Sequence, residues 1–383
     1  MKIGIVIRRL NTQGGTERRT SELIRCLLKA GHEIHLFAEA WEKDLTRDLT
    51  CHRLPILKPI RWIKALSFAL FAAHAVKKYD LDLIHSQART YADDLATLGG
   101  GCHADYLDHF LEEATPLRRA WEFNAPFNRT VMALERAQYR RCSRLILNSH
   151  LALEGLVRHF PFAAAKCRVV HNGIDCDSFK PDANSRAALR GELQVKDDTV
   201  IYLFVGSGFE RKGLPEFLES FALLNKHNST ADILALVVGN GDFPRYRAQA
   251  KQLGIEDKII FAGAQRDTRP YYCAADVFVL PTKFDPFANT TNEALAGGLP
   301  VITTKTNGAC EVITDEVGFV VNRAGEVEEM AAAMESLLDA ARRKTMSASA
   351  RQNALARPWE LTADLTMKVY HEILAERKND AGR

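Results

Sequence analysis

Short runs of apolar residues alternate with longer amphipathic segments along most of the chain. The run at 2–7 shows no polar alternation, which is typical of a strand buried on both faces. In the segment 16–30 the apolar positions recur at helical spacing, and 33–38 is again a strand-like run. A strand, a helix and a second strand in this order form the βαβ unit of a parallel, doubly wound sheet.

The alternation pauses in a polar segment at 182–195 and then starts again, which divides the chain into two halves. The first half also predicts strands at 83–85, 144–148 and 167–171 and helices at 60–78, 135–141 and 149–160. The second half predicts strands at 200–206, 233–239, 259–262, 276–280, 301–303 and 318–321 and helices at 213–225, 246–253 and 326–341. We therefore expect an α/β protein with two Rossmann-like, doubly wound domains facing a cleft, the usual place for a ligand.

Length and composition agree with an ordinary two-domain protein. The chain has 383 residues, and its eight cysteines include no Cys-x-x-Cys pair, so we expect reduced thiols and a cytoplasmic location. No apolar run approaches the ~20 residues of a membrane span, and the run at 2–7 is too short for the core of a signal peptide.

Positive charge is concentrated in the first half. Residues 1–174 carry 26 lysines and arginines against 18 acidic residues, a net charge of +8, whereas residues 175–383 carry 25 against 30, a net charge of −5. A basic half indicates contact with an anionic surface or substrate, but a solvated surface with no partner would have the same composition.

Two short motifs follow strand-like runs and carry groups suited to phosphate. Gly14 and Gly15 precede a helix, where glycine allows a ligand to approach closely and the helix offers free N–H groups to an anion. Arg211 and Lys212 follow the strand at 200–206, a position in which two cations fit a diphosphate. An ordinary tight turn explains the glycines equally well, and surface solvation is the alternative for the cations.

The most informative stretch contains two carboxylates, Asp285 and Glu293, eight positions apart across a small polar loop. A carboxylate in the loop can accept hydrogen bonds from sugar hydroxyls, and one in the first turn of the next helix can bind a ribose. Free N–H groups between them can hold phosphate. The alternative for Glu293 is a carboxylate that only stabilises the helix, through its interaction with the positive end of the helix dipole.

In this order the motifs resemble the family 4 glycosyltransferases, which are retaining enzymes of the GT-B fold. The resemblance covers nearly the whole chain and rests on the glycine pair, ERKG at 210–213, VVGNGD at 237–242, FAGAQRD at 261–267, the acidic pair and AGGLPVI at 296–302. Within the family, the chain looks most like the lipopolysaccharide core glucosyltransferase I group, through GGTER at 14–18, AEAWEKD at 38–44 and VGSGFERKG at 205–213.

The resemblance implies a nucleotide-sugar site in the second half. Arg211 and Lys212 would bind the donor diphosphate and stabilise the leaving group, Asp285 would hold sugar hydroxyls, and Glu293 would bind the ribose. The other donor-binding positions that it implies are Gly14, Gly15, Gly206, Arg266, Ala288, Asn289 and Thr290. Two positions depart from the family pattern, because the first acid is normally Glu rather than Asp285 and Ala288 stands where glycine is usual.

The resemblance also assigns a role to the glycine-rich stretch at 99–105. His103 is implied to be catalytic, in contact with the transferred sugar near the reacting carbon, and Asp105 is a second candidate; a lone histidine is, however, more often structural. The implied domains are an acceptor-binding N-terminal domain at 1–178, a nucleotide-sugar-binding C-terminal domain at 179–358, and a helix at 359–383 that crosses back to the N-terminal domain.

The expected reaction is transfer of a hexose, with glucose favoured by the resemblance, from a UDP-sugar to a lipopolysaccharide core or a similar glycolipid or glycan acceptor. Cleavage of the C1–O bond passes through an oxocarbenium-like state and leaves charge on the phosphate, which fixed cations stabilise. Arg211 and Lys212 would replace a metal, so we expect neither a metal nor another cofactor. Front-face attack by the acceptor is the mechanistic hypothesis.

Cations and aromatic residues are concentrated in one region of the first half. They are Arg118, Arg119, Trp121, Phe123, Phe127, Arg129, Arg136, Arg140 and Arg141, and the stretch 58–64 adds more cations and a tryptophan. This mixture suits an anionic membrane, so we expect a peripheral protein on the cytoplasmic face of the inner membrane. A solvated helix with buried aromatics is the alternative, and no nucleic-acid motif accompanies the cations.

Three other functions remain as competitors. A UDP-GlcNAc 2-epimerase needs a carboxylate and a histidine set for proton abstraction, which the sequence does not supply. A non-catalytic two-lobed sugar-binding protein is usually exported, and a dinucleotide oxidoreductase usually carries GxGxxG.

Overall fold

The computed structural model describes residues 1–11, 14–112 and 114–381. The chain divides into two compact units, one of Met1–Asn172 together with Trp359–Arg383 and the other of Gly173–Pro358. Each unit is built around one large parallel sheet.

The first unit contains strands β1 to β9 and helices α1 to α6. The strands are β1 (Lys2–Val6), β2 (Arg9–Leu10), β3 (Glu33–Ala38), β4 (Ala40–Trp41), β5 (Thr50–Arg53), β6 (Leu83–Ser86), β7 (Leu95–Thr97), β8 (Arg144–Leu147) and β9 (Cys167–Val169). The helices are α1 (Gly15–Lys29), α2 (Arg61–Val76), α3 (His103–Phe110), α4 (Pro116–Asn124), α5 (Pro126–Arg141) and α6 (His150–His159).

Seven of these strands form one sheet in the order β5-β3-β1-β6-β7-β8-β9, with neighbouring strands parallel. Ile3 and Ile5 of the central strand β1 are fully buried, as the unbroken apolar run predicts. The chain builds outward from β1 on one side and from β6 on the other. The carboxyl ends of β1 and β6 therefore meet at the topological switch point of this sheet.

The second unit contains strands β10 to β15 and helices α7 to α14. The strands are β10 (Val200–Val205), β11 (Ile233–Val238), β12 (Ile259–Gly263), β13 (Val277–Leu280), β14 (Val301–Thr304) and β15 (Gly318–Val321). The helices are α7 (Ala183–Glu192), α8 (Phe209–Lys212), α9 (Leu214–His227), α10 (Phe243–Gln252), α11 (Arg269–Ala274), α12 (Asn289–Ala296), α13 (Val327–Ser336) and α14 (Ala340–Leu355).

The sheet of the second unit has the order β12-β11-β10-β13-β14-β15, again with parallel neighbours. Every residue of β10 and β11 is buried, and these strands form the centre of a large apolar core. The strand order reverses between β10 and β13. Ligands of doubly wound sheets bind at this reversal, outside the carboxyl ends of the two strands.

The last helix, α15 (Trp359–Ala381), belongs to the first unit. It corresponds to the helix that the resemblance implies at 359–383. Trp359, Tyr370 and Ile373 are buried in the apolar cluster that also contains Ile3 and Leu23. Their burial explains why a segment so far along the sequence is part of the first unit. Residues 382 and 383 of the predicted helix lie outside the described residues.

The polar segment predicted as a boundary is itself mostly helical. The Asp182 carboxylate accepts hydrogen bonds from the backbone N–H groups of Asn184 and Ser185 and caps α7. The division between the units falls after residue 172 rather than after 178. Ile174 donates its N–H to the carbonyl of Arg357 at 3.1 Å, which ties the residues after 173 to the second unit.

Other elements differ from the prediction in identifiable ways. The helix predicted at 326–341 ends at Ser336 as α13. The Asp339 side chain accepts from the N–H groups of Ala341 and Arg342 and starts a new helix, α14, at Ala340. The pattern did not predict β5, β7, α3 or α4, since each is short or follows a helix without a clear change of period.

Candidate active site

The two cations predicted to bind phosphate lie at the switch point of the second sheet. After β10 the chain turns through Gly206 and Gly208 into the single helical turn α8, which ends with Arg211 and Lys212. Gly213 then takes a φ of +77°, and a Cβ atom there would lie 1.8 Å from the Pro281 carbonyl oxygen. Glycine at 213 thus allows α8 to pack directly against the residues that follow β13.

Asp285 lies in the loop after β13 and pairs with both cations. Its Oδ2 atom is 2.8 Å from Arg211 Nη1 and 2.6 Å from Lys212 Nζ, while Oδ1 accepts from the N–H of Phe287 at 3.0 Å. The cations that follow β10 therefore meet the carboxylate that follows the neighbouring strand β13.

Charge and burial act against each other in this cluster. Burial alone would raise the pKa of the Asp285 carboxyl, but the attraction of Lys212 and Arg211 outweighs it and lowers that pKa to about 2. Burial lowers the pKa of the Lys212 ammonium, an effect that the charges of Asp285 and Glu293 oppose. The cluster is thus a largely buried ion group, with Arg211 as its partly exposed member, and its carboxylate stays ionised at neutral pH.

Asn307, which belongs to no predicted motif, fixes the loop that carries Asp285. Its fully buried side chain accepts from the N–H groups of Ala288 and Ala309 and donates to the hydroxyls of Thr291 and Thr303. The backbone of Asp285 itself pairs with Thr306 and Gly308. An asparagine after a strand is a common loop residue, so the sequence offered no signal for this role.

Helix α12 begins directly after the Asp285 loop. Ala288 is its N-cap residue, and Asn289 and Thr290 form its first turn. Within the described residues, the buried Thr290 hydroxyl has no hydrogen-bond partner. The helix terminus and this hydroxyl together offer donors to an anion.

Glu293 lies in the second turn of α12, not in the first as predicted, because the helix already begins at Asn289; it is 4% exposed. The phenol of Tyr272 donates to Glu293 Oε2 at 2.8 Å. The local sequence of α11 does not indicate this role for Tyr272, since a tyrosine in an amphipathic segment resembles an ordinary core residue.

The remaining donor-binding candidates lie in several places. A Cβ atom at Gly206 would be 3.3 Å from Lys212 Cγ, so glycine there allows the lysine stem to lie close to the backbone. Arg266 is exposed in the turn after β12. Gly14 and Gly15 are the N-cap and first residue of α1 in the first unit. Residues 12 and 13 of the predicted glycine loop lie outside the described residues.

His103 is the first residue of α3, in the first unit. Its Nε2 lies 2.8 Å from Asn128 Oδ1, and Asn128 donates through Nδ2 to the carbonyl of Glu122, so Nε2 carries the proton. Burial lowers the pKa of His103, which leaves Nδ1 as an acceptor at neutral pH. The backbone N–H of His103 donates to the buried carboxylate of Glu135.

Asp105 contacts α6 rather than sharing the surroundings of His103. It is 2% exposed, and a Cβ atom at Gly155 would lie 2.2 Å from its Oδ2. Its Oδ1 is 3.7 Å from His109 Nδ1 and 3.6 Å from Arg158 Nη1. These contacts give Asp105 a packing role between α3 and α6.

Two absences apply to the described part of the chain. There, no group of three or more His, Cys, Asp or Glu side chains is arranged to hold a metal ion. In the same residues, no helix combines the length and apolar character of a bilayer span.

Two family models match the chain in succession. The model described as "Glycosyltransferase Family 4" matches residues 13–178, and the one described as "Glycosyl transferases group 1" matches residues 185–354. Together they account for most of the chain. The protein therefore belongs to the family 4 glycosyltransferases, which confirms the class of enzyme that the sequence motifs predict.

Individual relatives support the same assignment. The lipopolysaccharide glucosyltransferase WaaG of Escherichia coli (strain K12) is 22% identical over 79% of this chain and 80% of WaaG. The crystal structure of WaaG has a TM-score of 0.82 at 20% identity and covers 96% of this chain and 99% of that chain. Anabaena HepE in complex with UDP-glucose has a TM-score of 0.70 at 18% identity, with coverage of 99% and 100%. These likenesses confirm the predicted GT-B fold.

Proposed function

We propose that the protein is a retaining hexosyltransferase that moves glucose from UDP-glucose to a lipopolysaccharide core or a similar glycolipid or glycan acceptor. The observation that carries the proposal is the convergence of Arg211 and Lys212 on Asp285 at the switch point of the second sheet. The choice of donor and acceptor is supported by the similarity to a lipopolysaccharide glucosyltransferase and to a protein that binds UDP-glucose.

The donor diphosphate binds to the two cations that pair with Asp285 in the structure. Because a diphosphate carries more negative charge than one carboxylate, it competes effectively for Arg211 and Lys212. Asp285 is then available to accept hydrogen bonds from sugar hydroxyls. The first turn of α12 and the Thr290 hydroxyl donate to the phosphate oxygens.

The cations lower the barrier because negative charge grows on the departing phosphate as the C1–O bond breaks. Arg211 and Lys212 are fixed in place by packing and hydrogen bonds, so little reorganisation is needed when that charge develops. In this proposal they take the part of a divalent metal. The acceptor hydroxyl attacks C1 from the same face that the nucleotide leaves, and this retains the configuration at C1. A phosphate oxygen of the leaving group takes the proton of the hydroxyl.

Two further residues complete the proposed assignment. Glu293, oriented by Tyr272, accepts from the ribose hydroxyls of the nucleotide. His103, neutral with its proton held on Nε2 by Asn128, presents Nδ1 as an acceptor for a hydroxyl of the transferred sugar.

An anionic membrane surface is the proposed location of the acceptor, on the cytoplasmic face of the inner membrane. Leu117 and Trp121 of α4 are 85% and 69% exposed, and Arg118 lies on the same helix. Exposed apolar and aromatic side chains beside cations are typical of interfacial helices. Other members of the predicted basic and aromatic region make contacts within the protein, such as Arg61 over the ring of Phe127 at 4.2 Å and Arg140 over that of Phe162 at 5.5 Å.

Release of UDP from UDP-glucose tests the proposal directly. The purified chain should release UDP slowly with water as the acceptor, and Arg211→Ala should reduce the rate by about 100-fold, as loss of a single transition-state donor does in other enzymes. Arg245→Ala is the matched control, because Arg245 is exposed and pairs with Glu210.

The same assay separates the competing functions. A 2-epimerase acts on UDP-GlcNAc, and a non-catalytic sugar-binding protein leaves UDP-sugars intact. If the wild type releases UDP from every UDP-sugar no faster than the Arg211→Ala variant does, the proposal that the donor is a UDP-sugar is wrong.

A further inference from the structure

Arg19 is a buried cation that the proposed mechanism does not use. It lies in α1 and is 3% exposed. Within the described residues, its Nη1 atom has no hydrogen-bond partner, and its guanidinium pairs with no carboxylate. Burial lowers the pKa of Arg19 to about 10, so the side chain is still charged at neutral pH. A buried charge without a partner is costly, which points to a counter-ion supplied by a ligand.

The guanidinium lies beside the N-terminal turn of α1. Arg19 follows Gly15 by four residues and therefore shares a face of the helix with it, and side chains lean toward the helix N-terminus. A Cβ atom at Gly99 would be 3.4 Å from Arg19 Nη1 and 3.6 Å from the Thr16 hydroxyl. The charge of Arg19 thus adds to the positive end of the helix dipole.

Two more buried polar atoms, which have no hydrogen-bond partner among the described residues, belong to residues directly after strands of the same sheet. They are Gln87 Oε1, directly after β6, and Asn148 Oδ1, directly after β8. Gln87 Nε2 is 3.0 Å from His85 Nε2, and Asn148 donates through Nδ2 to the Gly99 carbonyl at 2.9 Å. Gln87 donates its N–H to the Val6 carbonyl at 2.8 Å, at the end of β1, and Gly99, which Asn148 contacts, lies beside Arg19 Nη1. The three side chains therefore lie at the carboxyl end of the first sheet.

This region is the switch point of the first sheet, where the carboxyl ends of β1 and β6 meet. It offers one cationic donor and two amide acceptors. A phosphate or carboxylate satisfies the first, and hydroxyl groups satisfy the others. A ligand with both features, such as a phosphorylated or acidic sugar, matches the set.

We propose that Arg19, Gln87 and Asn148 form a subsite in the first unit for an anionic, hydroxylated group of the substrate. The inference rests on the proposed transferase function, since it assigns part of a substrate to this sheet. The anionic group comes either from the acceptor or from the donor diphosphate.

Arg19→Met is the central variant. It removes an unpaired buried charge and keeps the volume, so the melting temperature should stay unchanged or rise, while kcat/KM for the full reaction should fall about 10- to 100-fold, the loss expected for one charge-assisted hydrogen bond. Arg25→Met is the matched control on the same helix. Arg25 pairs with Glu22 and Glu360, so this variant should lose a little stability and keep its activity.

Binding measurements with UDP and with inorganic phosphate identify the source of the anionic group. If the donor supplies it, Arg19→Met weakens UDP binding, and phosphate gives no further thermal stabilisation of the UDP-saturated wild type. If the acceptor supplies it, UDP binding is unchanged, and phosphate stabilises the UDP-saturated wild type but not Arg19→Met.

The inference is overturned if Arg19→Met binds UDP and phosphate as the wild type does, or if it lowers the melting temperature as a structural arginine would. These binding results do not depend on turnover. Suppose that phosphate stabilises the wild type but not Arg19→Met, and that the wild type releases no UDP from UDP-glucose. This result would refute the proposed function and would still support the anion subsite.

Discussion

Lys212 donates to Asp285 Oδ2 at 2.6 Å, the same oxygen that accepts from Arg211. The carboxylate is thus the counter-ion of both cations to which we assign the donor diphosphate. An anionic ligand of these cations has to compete with Asp285. The charge at position 285 should therefore affect affinity for the nucleotide and turnover in opposite directions.

Asp285→Asn keeps the shape of the side chain and removes its charge. We expect UDP to bind about 10-fold more tightly, because the cations no longer have a competing carboxylate, and UDP release from UDP-glucose to slow by at least about 10-fold. The free energy of unfolding should fall by about 2 kcal/mol, since the buried Lys212 and the partly exposed Arg211 lose their partner. Isothermal titration calorimetry with UDP and urea unfolding measure the two effects.

The matched control for this variant is Asp267→Asn, at an exposed carboxylate that pairs with Arg269. It should change neither UDP affinity nor turnover. Weaker UDP binding in Asp285→Asn than in the wild type would contradict the competition between carboxylate and diphosphate.

His85 makes the stability of the first unit depend on pH. Its ring is fully buried, with Nδ1 2.7 Å from the Tyr370 hydroxyl, and burial lowers the pKa of His85 to about 3. Below pH 6.5 the unfolded chain binds a proton that the folded chain does not, so stability is lost as the pH falls from 6.5 toward 3. This group alone should cost about 2 kcal/mol between pH 7 and pH 5.

Urea unfolding at pH 7 and pH 5 checks this expectation. His85→Gln should be less stable than the wild type at pH 7 but should lose about 2 kcal/mol less on acidification. His227→Gln, at an exposed position, should retain the wild-type pH dependence. Identical losses in the wild type and His85→Gln would show that His85 is not the group responsible.

Asn307→Ala should destabilise the second unit, because it leaves two buried N–H groups and two buried hydroxyls without the partner that Asn307 provides. We expect a loss of about 2–4 kcal/mol in the free energy of unfolding. Asn225→Ala removes a single hydrogen bond with Lys258 and should cost under about 1 kcal/mol. Equal losses would mean that the Asp285 loop does not depend on Asn307.

Much of this architecture follows from periodicity alone. The sequence runs that form β1, β10 and β11 are apolar without alternation, because both faces of a parallel sheet are covered. Strands of this kind can therefore be predicted from the sequence. The placement of Arg211 and Asp285 together also follows, since both come after strands that meet at a switch point.

The parts that could not be predicted depend on tertiary contacts. Asn307 and Tyr272 act through partners distant in sequence, and nothing in their local pattern distinguishes them from loop and core residues. Arg19 looks like a surface residue of an amphipathic helix. Only the packing of the first unit reveals that it is buried, with no counter-ion among the described residues.

The membrane proposal predicts a specific effect of α4. Binding to vesicles of phosphatidylglycerol should fall several-fold in Leu117→Gln and in Trp121→Gln, because each removes an exposed apolar group from the proposed interfacial helix. Leu355→Gln, at a 45% exposed position on α14, is the control and should bind as the wild type does. Equal binding of the wild type to neutral phosphatidylcholine vesicles would count against recognition of an anionic surface.

We propose that a single nucleotide sugar is held by Arg211, Lys212, Asp285 and Glu293. A crystal structure of the protein with UDP-glucose tests it most directly. We predict that phosphate oxygens lie within hydrogen-bond distance of Arg211 and Lys212, with the ribose on Glu293 and the glucose hydroxyls on Asp285. A complex in which UDP-glucose is bound elsewhere and the Asp285 ion group remains intact would contradict the assignment.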